Sequence, residues 1–198
     1  LRGTYTHYNT HFCDDVLAML DVGSEISMEP VVGTTEPWVL TEEDWPTLNK
    51  EYEKLARAYL ARKRAGEAFD FFHFNVAGPC VAKRLAGCGA GHEYFAITPE
   101  GDIYPCHQFV GREKYKMGTL DTGIVKKDMV QYFRHMHVMK KEDCRTCWAR
   151  FFCSGGCHAN ADLANGTIEK PYAYGCRIQK KRLEMAIILQ ALLTEDVK

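Results

Sequence analysis

The hydrophobic pattern at the start of the chain predicts a strand, a helix and a second strand. Leu1–Tyr8 is rich in threonine and tyrosine, which favours a strand. Apolar side chains then recur at helical spacing, at Phe12, Val16, Met19 and Leu20. Gly23 is placed to end this helix, and Ile26–Val32 has the composition of a buried strand. Because a helix joins the two strands, we expect them to pair in parallel.

A longer helix is predicted after Thr41. This threonine precedes three acidic residues, which is typical of a helix start, and Gly66 marks an end. The apolar positions between them form one stripe, made of Trp45, Leu48, Tyr52, Leu55, Tyr59 and Leu60. The aromatic segment Phe69–Phe74 follows. We expect it to lie in the core, because no basic groove accompanies it.

The second half of the chain has a different pattern, with shorter elements. Tyr94–Ile97 and Ile103–Cys106 flank the turn sequence Pro99–Asp102, which predicts a β-hairpin. Lys127–Val138 is predicted to be helical. A last helix is expected from Cys176, with Ile178, Leu183, Ile187, Ile188 and Leu192 on its apolar side. We expect this helix to pack back on the first part of the chain.

The cysteines are the main chemical signal. Residues Cys144–Cys157 contain four thiols at the spacing C-x2-C-x5-C-x3-C, and four more stand around them, at Cys80, Cys88, Cys106 and Cys176. A C-x2-C loop lets two thiolates reach one metal centre, and both zinc and iron–sulfur sites use it. Eight clustered thiols divide as four plus four, which indicates two metal centres. The small residues Ser154–Gly156 allow the backbone to pass close to a bulky inorganic group.

Composition narrows the class of protein. The chain has 198 residues, 46% of them hydrophobic, so it can bury a core as one domain or two small ones. A net charge of −1 implies no strong attraction to nucleic acid or to an anionic membrane, and no apolar run is long enough to span a bilayer. Nine cysteines without a secretory segment favour metal binding in a reducing cytoplasm over disulfides.

The order of the cysteines resembles a known family. Twelve residues separate Cys88 from Gly101 and four separate Gly101 from Cys106; the C-x2-C-x5-C-x3-C run and Cys176 follow. This series resembles the SPASM domain, the C-terminal extension of radical S-adenosylmethionine (SAM) enzymes that modify peptides and proteins. The resemblance implies two auxiliary [4Fe–4S] clusters with interleaved ligands. It assigns the first cluster to Cys88, Cys106 and Cys157, with Cys80 as a candidate fourth ligand. It assigns the second cluster to Cys144, Cys147, Cys153 and Cys176.

Two further segments resemble a subfamily. RGTYTHYN … ISMEPVVG and GPCVAKRLAGCGAGHEYFAITPEGDIYPCHQFVG are similar to the maturases of SCIFF peptides, which are short cysteine-rich peptides cross-linked by thioethers. The implied fold class is α/β: the end of a radical SAM partial (β/α) barrel in residues 1–77, then an α+β SPASM domain in residues 78–198 with a β-hairpin and cluster-binding loops. The C-x3-C-x2-C loop that holds a third [4Fe–4S] cluster and SAM does not occur in this sequence. We therefore expect the chain to be the C-terminal portion of a longer enzyme.

The resemblance also implies a reaction and partners. In the intact oxidoreductase, a radical derived from SAM would remove a hydrogen from an α-carbon of a cysteine-rich precursor peptide. The resemblance to the subfamily implies that this α-carbon belongs to a threonine residue. A cysteine sulfur would bond to that carbon, and the auxiliary clusters would accept the remaining electron. A ferredoxin or flavodoxin would supply reducing electrons. No nucleic-acid or membrane partner is expected.

Polar residues at the ends of the two predicted strands are further candidates. Parallel barrels bind ligands at the carboxyl ends of their strands. His7, Tyr8 and Glu29 lie at such positions and could approach SAM or the peptide. The structural alternative is that Glu29 pairs with a neighbour and that His7 satisfies a hydrogen bond, since polar side chains at strand ends commonly do so.

Two rival functions stay open at this point. Four-cysteine zinc sites use similar C-x2-C loops, so a structural zinc-binding module is one alternative. The other is a different SPASM enzyme, such as an anaerobic sulfatase-maturating enzyme or another peptide cyclase. Iron and sulfide content separates the first alternative, and the choice of peptide substrate separates the second.

Overall fold

The computed structural model describes residues 1–76 and 85–195, and these residues form two compact units. The first unit contains the described residues up to Val76 together with residues 176–195. The second unit contains the described residues between Leu85 and Gly175. The last helix thus groups with the first unit, whereas the predicted division at residues 77 and 78 places it with the cysteine-rich part. The physical reason is the set of buried contacts that Arg182 makes in the first unit.

The first unit is built on a three-stranded parallel sheet. Its strands are β1 (Arg2–Tyr5), β2 (Glu25–Pro30) and β3 (Asp70–Phe71), in that order across the sheet. Helix α1 (Phe12–Met19) joins β1 to β2, and the two strands pair in parallel. The predicted strand–helix–strand unit is confirmed. The strand β1 is shorter than the predicted segment, because a single 3-10 turn occupies residues His7–Asn9.

Two long helices complete the first unit, α2 (Trp45–Arg64) and α7 (Ala173–Glu195). The capping box between Thr41 and Asp44 precedes α2, and Gly66, with φ of 76°, follows its end. The predicted apolar stripe is largely buried, at Leu48, Tyr52, Leu55 and Tyr59. The Tyr52 ring lies 4.8 Å from the Phe12 ring, which packs α2 against α1. Helix α7 begins three residues earlier than predicted from Cys176.

Arg182 fastens α7 to the sheet. Its side chain is buried, with Nε 2.8 Å from the Tyr52 hydroxyl, Nη2 2.6 Å from the Met28 carbonyl oxygen and Nη1 3.2 Å from Glu29 Oε2. The Tyr52 hydroxyl also lies 2.9 Å from that of Tyr5. One guanidinium thus joins α2, α7 and β2. A buried charge is stable only when its hydrogen-bonding capacity is met, and these contacts meet it here.

The second unit has an antiparallel sheet and short helices. The sheet contains β4 (Ala96–Ile97), β5 (Asp102–Tyr104), β6 (Gly118–Thr119) and β7 (Gly123–Ile124) in that order. The predicted hairpin is confirmed: β4 pairs antiparallel with β5, and Gly101 has φ of 87° in the turn. The helices are α3 (Lys127–His135), α4 (Glu142–Arg145), α5 (Arg150–Cys153) and α6 (His158–Asn165).

An aromatic cluster and one buried carboxylate hold the second unit together. The rings of Phe109, Tyr115 and Phe133 pack with centroids 4.4–6.1 Å apart. The carboxylate of Asp162 is fully buried and accepts hydrogen bonds from Tyr115 and Arg112, and from Lys114 at 3.1 Å. Burial opposes its charge, but these donors outweigh burial and hold the pKa of Asp162 below its usual value. Within the described residues, no helix is both long and apolar enough to cross a membrane.

Candidate metal centre

Six of the clustered cysteines lie in the described part of the second unit, and they divide into two sets. Electrostatic interactions link Cys106 with Cys88 and Cys157, and link Cys157 with Cys88. A separate group of interactions links Cys144 with Cys147 and Cys153. We call Cys88, Cys106 and Cys157 the first thiol set, and Cys144, Cys147 and Cys153 the second thiol set.

The other two cysteines cannot be added to these sets from the structure. Cys176 lies in α7, in the part of the helix that belongs to the first unit. Cys80 lies outside the described residues. Their predicted roles, Cys176 in the second cluster and Cys80 in the first, stay predictions.

Backbone N–H groups point at the sulfurs of both sets. Cys153 accepts from the N–H groups of Gly155 and Gly156. The same arrangement recurs in the first thiol set, where Cys106 accepts from Gln108 and Phe109 and Cys157 accepts from Ala159 and Asn160. Cys157 stands directly before α6 and Cys106 directly before a single 3-10 turn. The first N–H groups of a helix or turn lack internal partners, so they are available to a sulfur.

The segment Ser154–Gly156 shapes the loop between the two sets. All three residues have left-handed backbone conformation, with φ of 58° at Ser154, 88° at Gly155 and 72° at Gly156. Glycine adopts this conformation at little cost, which explains the two glycines. The loop passes close to Gly87, where an added Cβ would lie 3.8 Å from the Ser154 carbonyl oxygen. This contact brings the neighbour of Cys88 to the loop that ends at Cys157.

The environment of the thiols disfavours their charged form when no metal balances it. Burial raises the pKa of Cys106, Cys144 and Cys153 above the ordinary value for a thiol, while the N–H donors act in the opposite direction on Cys106 and Cys153. A metal centre binds thiolate, so loading releases protons from these side chains. We therefore expect metal affinity to increase with pH.

The chemistry of the donor set fits an iron–sulfur cluster. The two thiol sets supply thiolates, which are the protein ligands of such clusters. The sulfurs of a cluster also accept hydrogen bonds, and His158 Nδ1 is buried without a partner among the described residues, next to Cys157.

The three candidates for contact with SAM or peptide lie in the first unit. His7 and Tyr8 form the turn that follows β1. His7 Nδ1 is 2.8 Å from Asp44 Oδ1, and the Tyr8 side chain is 70% exposed. Glu29, on β2, has a carboxylate 2.9 Å from His73 Nε2 and 3.2 Å from Arg182 Nη1. The structural roles considered for His7 and Glu29 are thus present, and their roles toward SAM or peptide stay predictions.

The Glu29 carboxylate gives a pH dependence with a definite sign. Burial opposes its charge, but the neighbouring His73 side chain and the hydrogen bond from Arg182 outweigh burial and lower the pKa of Glu29 to about 2. Because this value is below that of the unfolded chain, the stabilisation is complete above about pH 4.5 and is lost as the pH falls toward 2. In urea titrations at several pH values, this carboxylate should cost the unaltered chain about 2–3 kcal/mol in the free energy of unfolding as the pH falls. Glu29→Gln should not show that loss.

A matched control lies on the same strand. Glu25 is exposed at the start of β2, so Glu25→Gln is expected to keep the pH dependence of the unaltered chain. If the free energy of unfolding of Glu29→Gln fell at acid pH as steeply as that of the unaltered chain, the assignment would be contradicted.

Sequence reasoning missed three residues that organise the two units, Lys141, Asp162 and Arg182. Each is a buried charged side chain whose partners are distant in sequence. In the sequence all three look like ordinary polar positions of helices or loops. One available signal was the position of Arg182 on the apolar face of the last helix, four residues after Ile178 and three before Met185. Nothing comparable marks Lys141.

Comparisons with known proteins agree with this site. Residues 88–148 match the family model of SPASM, described as an iron–sulfur cluster-binding domain. An uncharacterised protein of Archaeoglobus fulgidus is 30% identical over 99 residues, which cover 49% of this chain and 24% of that protein. A serine-type anaerobic sulfatase-maturating enzyme of Klebsiella aerogenes is 26% identical over 102 residues, covering 50% of this chain and 24% of the enzyme.

A solved structure shares the fold over the whole chain. The structure of anSMEcpe with bound AdoMet matches with a TM-score of 0.69 at 16% identity, and covers 100% of this chain and 57% of that chain. This likeness confirms the predicted fold class, a mixed α/β fold of the radical SAM–SPASM kind. The chain spans less than two thirds of that structure and of both curated relatives. Residues 88–148 are thus similar to the SPASM domain, and the chain shares the fold of the anSMEcpe structure.

Proposed function

We propose that this chain forms the auxiliary iron–sulfur part of a radical SAM enzyme that modifies a peptide. The observation that carries the proposal is the division of six cysteines into two thiol sets, each with backbone N–H donors to sulfur, in a region that matches an iron–sulfur cluster-binding domain. The solved structure of anSMEcpe with AdoMet and the Cp18Cys peptide supports a peptide as the partner.

In this proposal the thiol sets hold two [4Fe–4S] clusters. The first thiol set binds one cluster, with Cys80 as its fourth ligand, and the second thiol set binds the other with Cys176. When bound, these clusters would accept and pass on single electrons. The chain's own residues supply thiolates, fix their positions through the loop Ser154–Gly156, and donate N–H bonds that stabilise the negative charge on sulfur. SAM and a third cluster would be bound by the part of the enzyme that carries the C-x3-C-x2-C loop.

One specific activity is thioether formation in a cysteine-rich peptide. The similarity of two segments to the SCIFF maturases supports it. The reaction breaks a C–H bond at a peptide α-carbon and the S–H bond of a cysteine, and forms a C–S bond. The SAM-derived radical would take up the hydrogen atom, the thiol would release a proton, and one electron would remain. A cluster held by one of the thiol sets would supply the acceptor for that electron, and a ferredoxin or flavodoxin would supply the electron for SAM cleavage.

The second candidate is oxidation of a side chain in a sulfatase. The Klebsiella aerogenes relative and the fold shared with anSMEcpe support it as strongly as the segment similarity supports thioether formation. This reaction also leaves an electron that a cluster could accept, so the thiol sets are compatible with both. The difference between the two must lie in the peptide that is bound. A cytoplasmic location is part of either proposal.

The test is an anaerobic assay of the full-length enzyme that contains this chain. SAM and flavodoxin are supplied with a cysteine- and threonine-containing peptide in one arm and a serine-containing sulfatase peptide in the other. Thioether formation predicts a loss of two hydrogen atoms and of one thiol that can be alkylated, in the first peptide alone. Oxidation of serine to an aldehyde in the second peptide alone would support the sulfatase alternative. SAM cleavage without a change in either peptide would contradict both.

A further inference from the structure

Lys141 lies buried in the cysteine-rich unit, where a charged side chain is unusual. The residue is 1% exposed, and its Nζ atom is 3.0 Å from the carbonyl oxygen of Gly155. Removing an ammonium group from water is costly, and lysine is rarely fully buried unless it has partners. The chain places it in the cysteine-rich unit, three residues before Cys144.

The backbone and the side chain of Lys141 form hydrogen bonds with two different cysteine-containing segments. Its carbonyl oxygen accepts the N–H of Cys144 at 3.1 Å, which begins α4. Its ammonium holds the carbonyl of Gly155, whose own N–H donates to the sulfur of Cys153. Val138 and the Lys141 stem also lie about 3.5–3.7 Å from the position that a Cβ on Gly155 would occupy. Lys141 thus connects the segments that contain the cysteines of the second thiol set.

The charge of Lys141 reaches both thiol sets. It lowers the pKa of Cys144 and Cys153 in the second set and of Cys157 in the first set, against the rise caused by burial. It acts in the same direction on His158, next to Cys157. A positive charge in a buried site interacts with neighbouring charges more strongly than it would in water.

We propose that Lys141 is a positioning residue that also sets the reduction potential of both auxiliary clusters. The inference rests on the proposed function, since it takes both thiol sets as cluster ligands. Reduction of a cluster adds one electron, and so one negative charge, to the site. A fixed ammonium nearby favours the reduced form, which makes each cluster a better electron acceptor. The hydrogen bond to Gly155 holds the ammonium at a fixed position relative to the cysteine loop.

The test is a redox titration of the reconstituted chain, followed by electron paramagnetic resonance, with dithionite as reductant. Lys141→Met removes the charge and the donor and keeps an unbranched apolar side chain that is one atom shorter. It is expected to lower the equilibrium constant for one-electron reduction about tenfold at both clusters, equivalent to 59 mV. Lys140→Met is the matched control, because Lys140 is exposed and adjacent; it should titrate like the unaltered chain. Two clusters with unchanged potentials in Lys141→Met would overturn the proposal.

Two further variants test the role of Lys141 if Lys141→Met does not assemble clusters. Lys141→Gln keeps a donor for Gly155 without the charge, and its potentials are then measured in the same way. If neither variant assembles clusters, assembly by Lys141→Arg supports the role of the positive charge, and failure of Lys141→Arg overturns it. An unaltered chain that binds no iron and sulfide refutes the proposed function instead, so the two failures are distinguishable.

Discussion

Replacing Cys153 by alanine is expected to lower the iron content of the reconstituted chain from about eight to about four per chain. Cys153 accepts two backbone N–H bonds and interacts electrostatically with Cys147, which places it in the second thiol set. Losing this thiolate removes one of the three ligands that the second unit supplies to one cluster. The first thiol set does not contain Cys153, so its cluster should remain. Iron and sulfide assays and the visible absorption of anaerobic protein measure the change.

Cys13 provides the matched control for this experiment. It is a buried thiol in α1 of the first unit, and burial raises its pKa to about 11. Its backbone N–H is bound to Glu51, and its sulfur has no expected role in metal binding. Cys13→Ala should therefore keep the full iron content. Equal iron in Cys153→Ala and the unaltered chain would contradict the assignment of the second thiol set.

Replacing Arg182 by methionine is expected to destabilise the first unit by about 3–5 kcal/mol. The guanidinium is buried and supplies hydrogen bonds to the Tyr52 hydroxyl, the Met28 carbonyl and the Glu29 carboxylate. Methionine fills much of the same space but leaves those groups without this donor. The loss is large compared with the usual stability of a domain, which is about 5–15 kcal/mol. Urea unfolding followed by circular dichroism measures it.

An exposed ion pair in the same unit serves as the control. Lys54 Nζ lies 2.7 Å from Asp14 Oδ1, and both side chains are substantially exposed. Lys54→Met should therefore cost less than about 1 kcal/mol. The double variant Arg182→Met with Glu29→Gln should lose less than the sum of its parts, because the unpaired carboxylate is removed. A loss for Arg182→Met as small as that for Lys54→Met would show that the buried network does not stabilise the fold.

Local sequence signals predicted much of the fold. The strand–helix–strand unit followed from periodicity over neighbouring residues, and the hairpin followed from the turn residues around Gly101. The apolar stripe of α2 was visible because helical spacing repeats over its length. These features depend on interactions between residues that are close in the sequence, so local sequence patterns predict them. The spacing of the cysteines likewise predicted the candidate site, because closely spaced thiols are local in the sequence.

The long-range electrostatics could not be predicted in the same way. Arg182 meets Tyr52 across 130 positions of sequence and Met28 across 154. The contact of Lys141 with Gly155 depends on three left-handed residues that turn the loop back toward α4. No periodicity encodes such pairs. The predicted domain boundary shows the same effect, because the partners that hold α7 in the first unit lie far away in the sequence.

The central claim is that the eight clustered thiols hold two iron–sulfur clusters. The most direct measurement is the iron, acid-labile sulfide and zinc content of the unaltered chain after anaerobic reconstitution. We expect about eight iron and about eight sulfide per chain, with little zinc. Zinc bound without sulfide would contradict the claim and would leave a structural zinc module as the function of the cysteine-rich unit.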